Sequence, residues 1–278
     1  MAKWVRFFKV SSSGYYTYKA NREKREKEKK AKKEEIKRIF DESGETYGPD
    51  RICGVIRNNG GKASYRKVSE YMAEMNIQSV HNKHKTRSLT DSSDARDDAK
   101  HPNLVRGEKF DKPYQAVCSD ITYLKSGEGW LYLCTVKDIV TGEILGEATS
   151  ARMKKELVIQ AFKNAYARHK LPPGTIYHSD RGSQYTSKVL RKLLKKHGIK
   201  QSFSRVGMPG DNAWAESFFS ILKKECIHFR HFATREELSL TVFTWVESFY
   251  NTRRVQARLG YLSPREYKAL LMIEDQAA

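Results

Sequence analysis

The chain has 278 residues, 39% hydrophobic and 31% charged, with a formal net charge of +19 and a pI near 9.7. No apolar run is long enough to cross a bilayer, and the opening MAKWVRFFKVSSSGYY lacks the apolar segment and cleavage site of a secretory signal, so a membrane-spanning protein is excluded and the cytosol is the expected location. The positive field attracts polyanions, nucleic acid foremost, and the length allows one main core with one or two small appendages.

From Asn21 to Glu42 the chain alternates Lys, Arg and Glu, and Glu23 to Lys27, Glu26 to Lys30 and Glu28 to Lys32 have the i,i+4 spacing of a solvated helix. No apolar heptad runs through it. Next, Ile52, Val55 and Ile56 line one helical face and Val68, Met72 and Met75 a second, with a break at Asn59-Gly60-Gly61. Ser64 is the expected N-cap of the second helix, which puts Tyr65, Arg66 and Lys67 in its first turn, where a groove-entering helix meets DNA. Residues 1–77 therefore read as a basic, helix-turn-helix-like DNA-binding region, with a plain helical hairpin as the alternative.

Residues 78–112 are polar, basic first and then acidic at Asp91, Asp94, Asp97 and Asp98, and are expected to be a linker. His81 and His84 give half a zinc ligand set with no cysteine pair to complete it. Cys53, Cys118, Cys134 and Cys226 are too far apart for a CxxC centre, so reduced structural thiols are expected.

After Pro113, the runs YQAVCSDITYL, GWLYLCTVKDIV and GEILGEATS, separated by Gly-containing turns, predict an antiparallel meander. A helix follows through Glu156, Leu157, Ile159, Phe162 and Tyr166, then a strand TIYHS, a helix carrying Val189, Leu190, Leu193 and Leu194, and a strand near KQSFS. Gly207-Met208-Pro209-Gly210 makes a loop, with helices from about Asn212 and Thr234. The result is an α/β fold, a mixed five-stranded sheet flanked by helices, with its core over 113–228 and a helical extension over 229–278.

Three acids stand out: Asp120 inside the first strand, Asp180 just past the fourth, and Glu216 on the following helix, with thirty-five residues between the last two. If the first and fourth strands are neighbours, an adjacency that spacing alone does not show, the aspartates converge and the glutamate is lowered onto them. Hard divalent cations prefer oxygen ligands, and two such ions stabilise the attacking and leaving oxygens of a phosphoryl displacement. Crowded carboxylates without a cation repel and raise their own proton affinity. Asp138 is the decoy, an acid at a strand end before a turn. Fifteen tyrosines raise a tyrosine recombinase, but no Arg and His set surrounds any one of them.

The strings SDITYL, HSDRGSQYTS and DNAWAESFFSILKKE resemble the three catalytic blocks of bacterial insertion-sequence transposases in the Asp-Asp-Glu retroviral-integrase superfamily. More closely, they resemble the second-frame (OrfB-type) product of the family encoded in two overlapping frames. The ending YNTRRVQARLGYLSPREY and the opening SGYY and YGPDRI segments resemble the same product, although Val117 stands where these proteins usually carry Trp. The resemblance implies an RNase H-like integrase core, Mg²⁺ or Mn²⁺ as cofactor, with two ions, and cleavage and strand transfer at element ends without a covalent enzyme intermediate.

It also implies roles. Asp120, Asp180 and Glu216 are the catalytic metal ligands, Asp120 bridging both ions. Lys223, seven residues after the glutamate and on its helical face, holds a phosphate, and Arg181 is a further DNA contact. His178, on the strand face of Asp180, touches the attacking water or a phosphate, or else is a core histidine; Asn212 supports the site by hydrogen bonding, or else starts the helix. Expected partners are insertion-sequence ends, target DNA, the first-frame product by frameshift fusion or association, and further copies of the chain on DNA. The competing functions are a catalytically silent DNA-binding accessory protein or repressor, and a nuclease that cuts without joining.

Overall fold

A computed structural model describes residues 11–80, 102–205 and 209–277. The chain divides into two compact units, Met1–Lys83 and His84–Ala278. The pair His81 and His84 and the loop residues Gly207 and Met208 lie outside the described residues.

In the first unit, α1 (Ser12–Glu42) leads to α2 (Pro49–Asn58) and α3 (Tyr65–Glu74). Most of α1 is solvated, as its charge predicts, but Ile36, Ile39 and Phe40 are buried with Ile52, Ile56, Val68 and Met72. The i, i+3, i+4 spacing of those three residues puts them on one face, which is why the last turns of α1 join the core. Ser64 caps α3 by accepting from the Lys67 N–H at 3.4 Å, and Gly61 packs so closely on Ile56 that a Cβ would lie 2.8 Å from its Cγ2. That approach sets the break between α2 and α3.

The second unit opens with the predicted meander: β1 (Ala116–Ser126), β2 (Gly129–Asp138) and β3 (Ile144–Ser150), paired antiparallel. Then come α4 (Lys155–His169), β4 (Ile176–Ser179), α5 (Lys188–Lys196) and β5 (Lys200–Phe203). The five strands lie in the order β3-β2-β1-β4-β5. β4 runs parallel to both neighbours, a pairing that needs crossovers, and α4 and α5 provide them. After β5, a tight turn (Pro209–Asn212) enters α6 (Ala213–Leu222), which continues through a π turn over Lys223–Ile227. α7 (Arg235–Trp245), a second π turn over Val246–Tyr250, and α8 (Pro264–Ala277) complete the unit.

Period-two alternation in β1 feeds two cores. Val117 points with Cys134 and Val136 into a cluster with Leu157, Phe162 and Leu190 of α4 and α5. On the other face Leu124 meets Leu133, Phe218, Leu222 and Trp245 of β2, α6 and α7. Gly146 lets α4 approach β3: a Cβ there would stand 2.3 Å from the Ala165 backbone nitrogen. All four cysteines are free and buried, as expected of structural thiols.

The reading of 78–112 as a linker needs correction over its last residues. Pro102 accepts from the Phe203 N–H at 3.0 Å, the Leu104 N–H donates to Ser202 Oγ at 2.8 Å, and Val105 is buried beside Ala116, Cys118 and Ala215. This segment is anchored through backbone groups and one valine, so it carries no hydrophobic period.

Candidate active site

β1 and β4 pair with Val117 opposite Tyr177 and Cys118 opposite His178. Two residues beyond on each strand stand Asp120 and Asp180, so both aspartates leave the centre of the sheet at the carboxyl end of β4, where open α/β sheets place their sites. The sheet order thus supplies the adjacency that spacing left open.

Asp120 is half-buried and its Oδ1 accepts from the Ile121 N–H at 2.8 Å. Burial pushes its carboxyl up to about 7; the Asp180 and Glu216 charges push the same way, while the Ile121 N–H and the Lys223 ammonium oppose them. Asp180 sits on the rim, raised by partial desolvation and opposed by the Gly182 N–H, which donates to its Oδ1 at 3.0 Å. Glu216, in the first turn of α6, is likewise raised by desolvation. Desolvation lowers the Lys223 ammonium, and Asp120 counters it. Lys223 thereby joins the acids, as its position on the helical face of Glu216 predicts.

The entry to α6 is pinned by Asp211, to which sequence reasoning gave no role. Its carboxylate accepts from Arg205 N, Nε and Nη2, each at 3.0 Å, and from Asn103 Nδ2 at 2.9 Å. The Arg205 side chain holds it down at about 2. An Arg six residues before an Asp, on either side of a Gly-containing loop, was the available signal.

Of the two readings of His178, the core histidine fits its surroundings: it is fully buried. The Asp211 carbonyl can only accept, so Nε2 donates to it at 2.9 Å; burial keeps the ring neutral, so Nδ1 accepts from Ser202 Oγ at 2.9 Å. This core histidine ties β4 to β5 and to the turn that delivers Glu216. Asn212 stands at the N-cap of α6 without making a cap bond, and its buried Oδ1 has no hydrogen-bond partner. Asp138 is a turn residue, accepting from Tyr114 N, Thr141 N and Thr141 Oγ1 at 2.7, 2.7 and 2.9 Å.

Arg181 donates from Nε to the Ser204 carbonyl at 2.9 Å and so braces the end of β5. Arg66 and Lys67 lie exposed in the first turn of α3 in the other unit, where Lys67 pairs with Glu70 at 3.1 Å. Gly182, inside HSDRGSQYTS, is a residue the sequence reading passed over: a Cβ there would stand 3.1 Å from Asp180 Oδ1. Only a hydrogen at that position leaves the carboxylate its place.

The donor set suits a hard divalent cation, because the groups sharing the rim are carboxylates, and the unpartnered Asn212 oxygen adds one more oxygen donor nearby in sequence. Among the described residues, no three carboxylate, imidazole or thiol groups close round one point. The acids are gathered within electrostatic reach of Asp120, and ligation by all three requires their side chains to swing inward.

Residues 111–209 and 216–270 match two families, each described as integrase core domain, and residues 26–85 match the HTH-like domain family. The transposase for insertion sequence element IS904 of Lactococcus lactis subsp. lactis (strain IL1403) is 35% identical over 84% of this chain and 92% of its own length. Transposase InsF for insertion sequence IS3A of Escherichia coli (strain K12) is 34% identical over 95% of this chain and 92% of its own. Among solved structures, the HTLV-2 integrase catalytic core domain in complex with magnesium aligns with 56% of this chain and 97% of its own, at 15% identity and a TM-score of 0.43. With the family models covering an HTH-like region and an integrase core, and both transposases matched over most of their length, the chain belongs to the IS3-family insertion-sequence transposases.

Proposed function

We propose that the chain is a DNA transposase that cuts at insertion-sequence ends and joins the freed 3′ hydroxyl to target DNA. The observation that carries this reading is the parallel pairing of β1 with β4, which puts Asp120 and Asp180 at one end of the sheet with Glu216 coupled to Asp120. Asp120, Asp180 and Glu216 would hold Mg²⁺ or Mn²⁺, two ions on this reading; the chemistry such ions supply when bound is charge stabilisation at the attacking and leaving oxygens. That binding would also relieve the repulsion from Asp180 and Glu216 that adds to the effect of burial on Asp120.

In the first step water attacks phosphorus, the P–O3′ bond breaks and the 3′ oxygen leaves as a hydroxyl; in the second that 3′ hydroxyl attacks a target phosphodiester, whose own P–O3′ bond breaks as the new P–O bond forms, and no protein atom is bonded to DNA. The protein's own work is therefore positioning and charge neutralisation. Lys223, beside Asp120, would hold a phosphate of the strand being cut, and Arg181, just past β4, would hold another. Arg66 and Lys67 would meet DNA from the first turn of α3. Asn212 would support the acids through its free Oδ1. Two DNA ends call for more than one copy of the chain on DNA, and end recognition calls for the first-frame product, fused or associated.

The test is a strand-transfer assay on labelled element-end DNA with Mg²⁺ or Mn²⁺, comparing the unmodified chain with Glu216→Gln, both in frame-fused form. Metal-dependent joined product that vanishes in the variant supports the reading. Cutting without joining makes the protein a nuclease, and binding without chemistry in either form makes it an accessory protein or repressor. The chain alone is expected to bind ends and random DNA alike, with end preference appearing only in the fused form, and gel shifts on both DNAs check this.

A further inference from the structure

Tyr123 and Trp130 stand on the β1–β2 hairpin, 58% and 47% exposed, although a folded protein normally covers such rings. Their centroids are 5.1 Å apart, edge to face. The ladder explains the pairing: Tyr123 lies opposite Tyr132 and Trp130 opposite Lys125, so the two rings are diagonal neighbours on one face.

Lys223 links these rings to the acids. Its ammonium lies 5.2 Å from the Tyr123 centroid, and the same charge interacts with Asp120. Tyr123 is three residues along β1 from Asp120, about 10 Å at the rise of a strand. Beside the rings opens a groove of about 760 Å³ lined by Tyr123, Lys125, Lys223, His228, Arg230 and His231, with no carboxylate among its lining residues.

Exposed aromatic faces next to a cationic groove match the chemistry of unpaired nucleic acid, whose bases stack while its phosphates follow the cations. An intact duplex uses the cations alone, since its bases are stacked on one another. Leu124, Ile227 and Phe232 also line the groove, but every charged group there is a cation, which an apolar protein segment leaves unused and a phosphate chain does not. We propose that Tyr123 and Trp130 form a base-stacking platform that, with Lys125, Lys223 and Arg230, holds an unpaired stretch of DNA next to the phosphodiester acted on at Asp120, Asp180 and Glu216. This rests on the functional reading above, and its test is chosen to fail separately.

The test is tryptophan emission of the full chain in EDTA, titrated with a twelve-nucleotide oligothymidylate, an abasic oligomer of equal length, and a duplex. Oligothymidylate quenches the emission, the abasic oligomer and the duplex do not, and Trp130→Phe removes the quench. Tyr123→Leu with Trp130→Leu weakens oligothymidylate binding about 5- to 150-fold, whereas Tyr123→Phe with Trp130→Phe, which keeps both rings, binds as the unmodified chain does. Equal affinity for abasic and thymidylate strands, or a quench that survives Trp130→Phe, overturns the platform. Stacking without metal-dependent cutting refutes the transposase reading alone, and cutting without base dependence refutes the platform alone.

Discussion

Arg254 donates from Nε and Nη2 to the two carboxylate oxygens of Glu225, at 2.7 and 2.6 Å, with side chains only 1% and 0% exposed. Glu225 lies in the π turn that carries Lys223, and Arg254 lies in the YNTRR string near the end of the chain. The closing signature thus clamps the far end of the helix that delivers Glu216. Arg254→Met removes the guanidinium on which a buried carboxylate relies, and it is expected to cost about 3–5 kcal/mol of stability. Arg254→Met with Glu225→Leu, which removes both charges, recovers most of that. Urea unfolding of the single and double variants decides the matter, and a single-variant loss below about 1 kcal/mol rejects the clamp.

Asn251, three residues earlier, works as a borrowed strand. Its Oδ1 accepts from the Ile144 N–H at 2.9 Å and its Nδ2 donates to the Ile144 carbonyl at 3.0 Å, all buried at the start of β3. Asn251→Asp keeps the shape but turns the donor into an acceptor facing a carbonyl. It is expected to destabilise by about 1–3 kcal/mol or more, and more than Asn251→Ala at pH 8, because only the aspartate adds a buried charge. Thermal melts of both variants at pH 8 test the order, and the reverse order would sink the argument.

Much of this was legible in the sequence, for reasons the structure makes specific. The meander is read from alternation because β1 alternates between two real cores, one through Val117 and one through Leu124. Asp120, Asp180 and Glu216 were identified by block resemblance, while the neighbouring of β1 and β4 is a property of the sheet that no local pattern encodes. His178 shows the limit: alternation gave its strand face, but Ser202 and Ser204, which occupy its ring, come from β5 and the residue that follows it. Residues 102–105 looked like linker because backbone groups and Asn103, rather than a stripe of apolar side chains, fasten them. The burial of Ile36, Ile39 and Phe40 was readable by spacing and was masked by the charge around it.

Gly182 separates geometry from stability. A methyl group there would sit 3.1 Å from Asp180 Oδ1 and 3.0 Å from Gln184 Oε1, tight contacts that displace the carboxylate by a few tenths of an ångström rather than break the fold. Gly182→Ala is therefore expected to lower strand transfer about tenfold while the unfolding midpoint stays within the range of an ordinary surface change. Single-turnover assays alongside melts check this. Unchanged chemistry would mean that the Asp180 position is less constrained than its contacts imply.

Glu147 predicts how stability depends on pH. It is buried on β3 with neither carboxylate oxygen hydrogen-bonded. Burial pushes its carboxyl up to about 8, Glu247 adds to the rise, and Arg168 opposes it. Unfolded, the same group titrates near its ordinary value, so between about 4.5 and about 8 the unfolded chain has released a proton that the folded chain keeps. Its unfavourable contribution is absent below the lower value, grows through that window as pH rises, and levels off above the upper one. At 1.36 kcal/mol per unit the ceiling is roughly 5 kcal/mol. Glu147→Gln has nothing to ionise, so its advantage over the unmodified chain grows from pH 5 to pH 9. The other titrating carboxyls, Asp120 among them, are common to both proteins and cancel in the difference. Urea midpoints of the two proteins at pH 5, 7 and 9 measure it, and a difference that stays flat across that range would mean Glu147 ionises in the folded protein near its ordinary pH after all.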